Sequence, residues 1–209
     1  MSRAAPSISP VAPLILLETM RDLDRPTEVL EDEDITLSLP RRFGLSEVVR
    51  QQITKFQDEV RQKRKQFPSQ FEDLIKLVIR RPDAEMIFGE AGRRIAVRYW
   101  EERSGAMRRL IRFLPRALSV IAAQRGGRRM FAELTGPARV RISRKPLALS
   151  IDQALTASAD PDGAACALYS GALSQVLELY TGRRYRVLHQ QCGARTAGAR
   201  CEWQIEIAS

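Results

Sequence analysis

The sequence predicts an α+β domain whose helical N-terminal half packs on a small antiparallel sheet. Three observations carry that expectation. Apolar residues recur at helical spacing from Leu45 to about residue 135. The period then falls to two. The period-two stretches come in the order strand, strand, helix, strand, strand, which suits hairpins rather than parallel crossovers. A chain of 209 residues with 44% hydrophobic and 28% charged residues is long enough to bury a core without staples.

Taken in order, residues 1–12 are Ser-, Ala- and Pro-rich with no period and read as unstructured. The apolar run Val11–Leu17 is closed by Glu18, too short to span a bilayer, and lacks the layout of a signal peptide, so the chain is expected in the cytoplasm. Residues 23–42 are acidic and Pro-punctuated, with one short strand expected around Leu30, Ile35, Leu37 and Leu39. Residues 1–44 are therefore expected to be a partly disordered extension, and residues 45–209 the folded domain.

Leu45, Val49, Ile53, Phe56 and Val60 step by four, four, three and four, a helical stripe. A break follows at Phe67-Pro68. Ser69 and Glu72 have capping-box spacing, with Phe71, Leu74, Ile75 and Val78 behind them and Pro82 as the stop. Ala84, Phe88, Ala91 and Ile95 make a third stripe, in which Gly89, Gly92 and Ala96 would let another backbone approach. Met107, Leu110, Ile111, Leu114, Leu118 and Ile121 continue the period, with Pro115 expected to kink or divide the helix and Gly126-Gly127 to break it. Residues 138–143 and 147–151 then alternate as strands. Asp160-Pro161-Asp162-Gly163 is a turn signal. Residues 164–181 form an amphipathic helix stopped at Gly182. Tyr185, Val187 and His189 share one strand face, as do Cys201, Trp203, Ile205 and Ile207 in the last strand.

Charge and cysteine usage both concentrate. The chain carries 34 basic and 25 acidic residues. Its whole excess of +9 lies between Arg93 and Arg129, where eleven arginines and no lysine face only Glu101 and Glu102. Such a segment suits a phosphate, a carboxylate, an acidic protein or an anionic membrane; the plainer reading is a solvated helix face. The three cysteines and the one histidine all fall in the last 44 residues. An odd count does not make a disulfide framework. The spacing Cys166-x22-His189-x2-Cys192-x8-Cys201 places Cys166 at a helix start, His189 at a strand end, Cys192 in the connection and Cys201 at the next strand's start. A hairpin would gather the last three, and the helix would bring Cys166 over them. Three thiolates and an imidazole make a tetrahedral zinc set of structural type. Buried thiols with a core histidine, or a redox pair, are the other readings.

Cys166, Gly171, Gly182, the strand Tyr185–His189, Cys192, Gly198, Cys201 and Trp203-Gln204-Ile205 together resemble the 4-vinyl reductase domain family. The resemblance spans about residues 45–207, and its specific part is the C-terminal segment. It implies an antiparallel sheet with helices, related to vesicle-tethering subunits and to phenol-sensing regulator domains. In those sensors a Cys, an acidic residue and two further Cys hold zinc; here His189 stands at the acidic position. Size and the arginine-rich middle look most like the bacteriochlorophyll-biosynthesis branch of the family. That branch implies photosynthesis, a magnesium-porphyrin ligand, vinyl-to-ethyl reduction of a chlorophyllide, and a place in the cytoplasm or peripheral to the photosynthetic membrane.

A reductase needs a hydride source, and no Gly-rich strand–helix turn stands out: Gly89-Glu90-Ala91-Gly92 lies within a helical pattern and Gly126-Gly127 is flanked by arginine. No iron–sulfur spacing of four Cys occurs. Binding a flat, apolar tetrapyrrole with propionates needs only an apolar pocket and placed cations. The candidates are Arg93, Arg94 and Arg98 on one helix and Arg108, Arg109, Arg112 and Arg116 on another, with Tyr99, Trp100 and Phe113 either stacking on a macrocycle or packing in the core. Three functions follow as expectations. The first is a carrier of magnesium-tetrapyrrole intermediates, passing them from the magnesium chelatase large subunit to the methyltransferase. The second is a 4-vinyl (8-vinyl) reductase fed electrons by a partner. The third, not favoured, is an effector-sensing or nucleic-acid-binding module. A two-fold homodimer is the expected assembly.

Overall fold

A computed structural model describes residues 8–25, 46–135, 140–144, 146–195 and 200–207. The strand expected around Leu30–Leu39 lies outside the described residues. The helices are α1 (Val11–Leu23), α2 (Glu47–Arg61), α3 (Pro68–Val78), α4 (Ala84–Glu101), α5 (Gly105–Arg112), α6 (Arg116–Thr135), α7 (Leu155–Ala159) and α8 (Ala167–Thr181). The strands are β1 (Val140–Arg144), β2 (Leu147–Asp152), β3 (Tyr185–Gln191) and β4 (Arg200–Ile207). They form one antiparallel sheet in the order β1-β2-β4-β3. The architecture is α+β, as the change of period implies.

Two helices hold the molecule together. α4 crosses α8 so closely that a Cβ on Gly92 would collide with the Leu168 carbonyl oxygen, and one on Gly171 with the Gly89 carbonyl oxygen. The small residues therefore set the interhelical distance, and Phe88, Ala91 and Ile95 of α4 and Ala172 and Leu173 of α8 are buried in the core. α8 also packs on β3, and α6 packs on β1 and α8. Leu149, Ile151, Cys201, Trp203 and Ile205 are buried on the covered face of the sheet. Gln204 and Glu206 face out, as expected of a half-covered antiparallel sheet.

The N-terminal segment differs from its reading as an extension. Ile8 pairs with Gln66 through two backbone hydrogen bonds, 2.9 and 3.0 Å. Val11 to Leu17 and Met20 of α1 are buried, and α1 lies against α2 and α4. An all-round apolar helix shows no stripe, so periodicity does not reveal it. Pro13 is harmless in the first turn, where no intrahelical donor is needed. Ion pairs fasten the far end. Arg94 Nη1 lies 2.6 Å from Asp22 Oδ2, and Arg81 grips Asp24 at 2.6 and 2.8 Å.

Two local expectations also change. α3 starts at Pro68, and Ser69 makes no cap; the fixed φ of proline begins the helix instead. α6 runs through Gly126-Gly127 without a break. A Cβ on Gly126 would strike the Tyr180 hydroxyl, and one on Gly127 would lie 3.3 Å from Ile142 Cδ1. Those glycines serve close packing rather than a turn. Pro115 does divide its helix, separating α5 from α6.

Candidate metal centre

Cys166, His189, Cys192 and Cys201 converge, with one ligand atom from each lying within 4.8 Å of all the others. The three cysteines are thiols and are buried; His189 stands at the exposed rim. Each arrives by a separate device. The buried Asp160 carboxylate accepts the backbone N–H of Ala165 at 2.6 Å and of Asp162 at 3.0 Å. It thereby ties the turn that delivers Cys166 to the foot of α8. Gly163, at φ +79°, makes that turn left-handed. It also leaves room for Cys192, since a Cβ there would lie 3.0 Å from Cys192 Sγ.

Cys201 lies on the covered face of β4, opposite Ile151 of β2. His189 pairs across the hairpin with Trp203 rather than with Cys201 itself. Its ring stacks on that indole, centroids 4.8 Å apart and planes 12° from parallel. The ladder becomes irregular between His189 and Gln191, which lets the chain turn and present Cys192. Beyond it the Gly193 N–H donates to Cys201 Sγ at 3.3 Å, and the Arg195 N–H donates to the Cys192 carbonyl at 3.1 Å. Residues 196–199 of this connection lie outside the described residues.

The electrostatics favour a thiolate. The hydrogen bond from Cys166 holds the Cys201 thiol well below the usual range, with help from His189 and the Gly193 N–H against the penalty of burial. The same Cys166–Cys201 contact, and then burial, push Cys166 up. Thr156 Oγ1 lies 3.1 Å from Cys166 Sγ. Tyr169 is raised by burial and by the neighbouring sulfurs, so its phenol stays neutral beside them. A metal cation would relieve what keeps these thiols from ionising together. Sulfurs around a tetrahedral zinc sit about 3.8 Å apart, so the 4.8 Å cluster needs little closing. The donor set of three sulfurs and one nitrogen is compatible with zinc. Thr156, Asp160, Gly163 and Tyr169 escape a motif search. Only the Asp-Pro-Asp-Gly turn signal hints at two of them.

The residues proposed to hold a tetrapyrrole do not gather in one place. Arg93 lines an open groove of about 710 Å³ between α4, α8 and β3, together with Met86, Gly89, Ala167, Gly171 and Val187. Tyr99 and Trp100 line a second cavity of about 250 Å³ with Arg103, Met130 and Tyr180. Trp100 is buried against Tyr180, ring centroids 4.7 Å apart, and Tyr99 donates to Glu133 Oε2 at 2.9 Å. Arg98 pairs with Glu102 at 3.5 Å. Arg108, Arg112, Phe113 and Arg116 lie at the α5–α6 corner, away from both cavity linings.

Comparison with family models, with curated proteins and with solved structures finds no match. Among the described residues no helix is long and apolar enough to cross a membrane.

Proposed function

We propose that the chain is a metal-stabilised, tetrapyrrole-binding domain of the 4-vinyl reductase type, carrying magnesium-tetrapyrrole intermediates between enzymes of bacteriochlorophyll synthesis. The observation that supports this reading is the convergence of Cys166, His189, Cys192 and Cys201, four of the positions in the segment that carries the resemblance, with His189 standing where the sensors have an acidic residue. Four protein ligands fill a tetrahedral shell and leave no open position, so the ion would hold the hairpin to α8 rather than act on a substrate. Zinc would bind through the three sulfurs and the His189 imidazole and supply cross-linking charge there.

The ligand of the proposed carrier would lie in the groove between α4, α8 and β3, whose volume is in the range of small-molecule sites. Its floor is the close α4–α8 crossing. Arg93 would take a propionate, exchanging its exposed pair with Glu90, 2.9 Å away, which is weakly held in solvent. The chelatase large subunit would deliver the ligand and the methyltransferase would receive it.

The test uses purified full-length chain. Metal analysis is expected to find one zinc per chain. Titration with magnesium-protoporphyrin monomethyl ester is expected to give a saturable change in absorbance and fluorescence, weakened in Arg93→Gln. Added reduced pyridine nucleotide should then leave a divinyl chlorophyllide unchanged. A vinyl-to-ethyl spectral shift would make the chain a reductase instead. Absence of any tetrapyrrole binding would overturn the reading, and steeply salt-dependent DNA binding would replace it.

A further inference from the structure

We propose that the corner formed by α5 and the start of α6 is a docking surface for an anionic lipid bilayer. The proposal stands on this surface alone and is independent of the metal and of the tetrapyrrole.

The apolar half of the argument is exposure. Phe113 is 85% exposed, Leu110 60%, Leu118 48% and Met107 45%. These four lie within twelve consecutive positions. The helix is nonetheless a formed element. Ser104 Oγ accepts the Met107 N–H at 3.3 Å as an N-cap. Ile111 is buried, and Leu114 packs partly against the core. At roughly 100° per residue, Met107, Leu110 and Ile111 share one side of α5, and Phe113 and Leu114 follow just past its end at Arg112. Of these five, only Ile111 and Leu114 are covered by the fold. Burying the remainder in water-free surroundings is favourable, and nothing among the described residues does so.

The charged half identifies the occupant. Arg108, Arg109 and Arg112 are interleaved with these residues along α5 and Arg116 opens α6; among the described residues none of the four has an ion-pair partner, whereas Arg93, Arg94, Arg98 and Arg129 each have one. No acidic residue occurs from 103 to 132. A second copy of this chain across a two-fold axis would press these arginines against their own counterparts. A polynucleotide offers phosphates but no apolar bed for Phe113 and Leu110. A bilayer interface of anionic lipid offers both at the right depth. Headgroups meet the guanidinium groups, and the acyl boundary lies a few ångströms beneath for the aromatic and leucine side chains. Arginine stems reach from the one layer to the other. A patch this short gives reversible binding rather than insertion.

The experiment is flotation of the full-length protein with vesicles of equimolar phosphatidylglycerol and phosphatidylcholine, and with phosphatidylcholine alone. The expected result is flotation with the anionic vesicles that weakens at high salt, and little with the neutral ones. Arg109→Gln/Arg112→Gln/Arg116→Gln is expected to weaken partition by about a hundredfold. Leu110→Ser/Phe113→Ser is expected to abolish flotation while the circular dichroism stays that of the parent. All of these side chains are solvent-exposed, so the variants should fold. Failure of the parent to float with anionic vesicles overturns the proposal, as does flotation that neither variant changes. Concentration-dependent dimerisation lost in Leu110→Ser/Phe113→Ser, without lipid binding, also overturns it and assigns the patch to a second copy.

Discussion

The Cys/His cluster and the arginine-rich segment are the two concentrations of chemistry in this chain, and they behave oppositely on folding. The cluster draws on residues as far apart as Cys166 and Cys201 and brings their ligand atoms within 4.8 Å. The arginines are sequence neighbours, yet folding sends Arg93 to one groove, Arg103 to a second cavity and Arg109, Arg112 and Arg116 to an exposed corner. Folding must overcome chain entropy to make a distant convergence, so a gathered set of rare side chains points to one site. A run of like charge on consecutive turns requires no such convergence, and its repulsion is least when its members spread into solvent. The first region marks a centre; the second marks a surface.

The strongest way to break this comparison is to remove the metal. If the cluster is a structural centre, a chelator or Cys201→Ser should lower stability by about 4 kcal/mol when free metal exceeds its Kd a thousandfold. For a chain of this size that is about 10 °C in Tm. Thermal denaturation with and without chelator measures it. An unchanged Tm would reduce the cluster to buried thiols. Acidification should release the metal, because protons compete for the sulfurs and the imidazole.

A smaller effect is expected from the helix crossing that carries Cys166. Gly92→Ala drives a methyl into the Leu168 carbonyl and should cost about 2–3 kcal/mol in urea denaturation. Because Leu168 lies two residues after Cys166, metal affinity should fall in the same variant. Gly89→Ala meets no atom within 4 Å and should be neutral or stabilising by about 0.5–1 kcal/mol. Equal gains at both positions would mean that helix propensity, not the Leu168 contact, decides the effect.

What the sequence makes legible follows the same division. The alternation of Cys201, Trp203, Ile205 and Ile207 against Glu202, Gln204 and Glu206 defines β4 without help from the rest of the chain. The four metal ligands are rare residue types, so their proximity can be argued from element order. The burial of α1 is illegible, because Val11-Ala12-Pro13-Leu14-Ile15-Leu16-Leu17 is apolar on every side and carries no period. Gly126-Gly127 reads as a break because propensity is local, whereas the need for space beside Tyr180 and Ile142 is tertiary. Spacing along one helix cannot say that Tyr99 turns toward Glu133 while Phe113, past a helix boundary, turns to solvent.

The ion pairs of α1 sharpen the contrast from the arginine side, since Arg94 and Arg81 have found partners. Burial opposes ionisation of Asp22, but hydrogen bonds from Arg94 and Arg21 outweigh it, and its carboxyl is held below the usual range. The hydrogen bond from Arg81 does the same for Asp83. Their contribution is therefore present at neutral pH, above the unfolded-state values near 4. It is lost as pH falls through that value toward the folded one. Because these carboxylates remain partly exposed and screened by solvent, Asp22→Asn should cost at most about 1 kcal/mol at neutral pH and nothing in acid. Urea midpoints measured across that range check the sign; a variant penalty that grows in acid would reverse it.

The smallest effect belongs to the exposed arginines, and its smallness is the informative part. Arg112 lies in the last turn of α5, where a cation is favoured by the helix dipole by a few tenths of a kcal/mol. The same residue stands four from Arg108 on α5, and like charges at that spacing along a helix are unfavourable by a similar amount. The two contributions oppose each other. Arg109→Gln/Arg112→Gln/Arg116→Gln should therefore leave Tm within about 2 °C of the parent. Arginines that give no folding stability in return would be free to meet an anionic surface, as the proposed docking corner requires. Should the triple variant unfold instead, the corner would be part of the scaffold, and its charge would have to be explained by contacts within the fold.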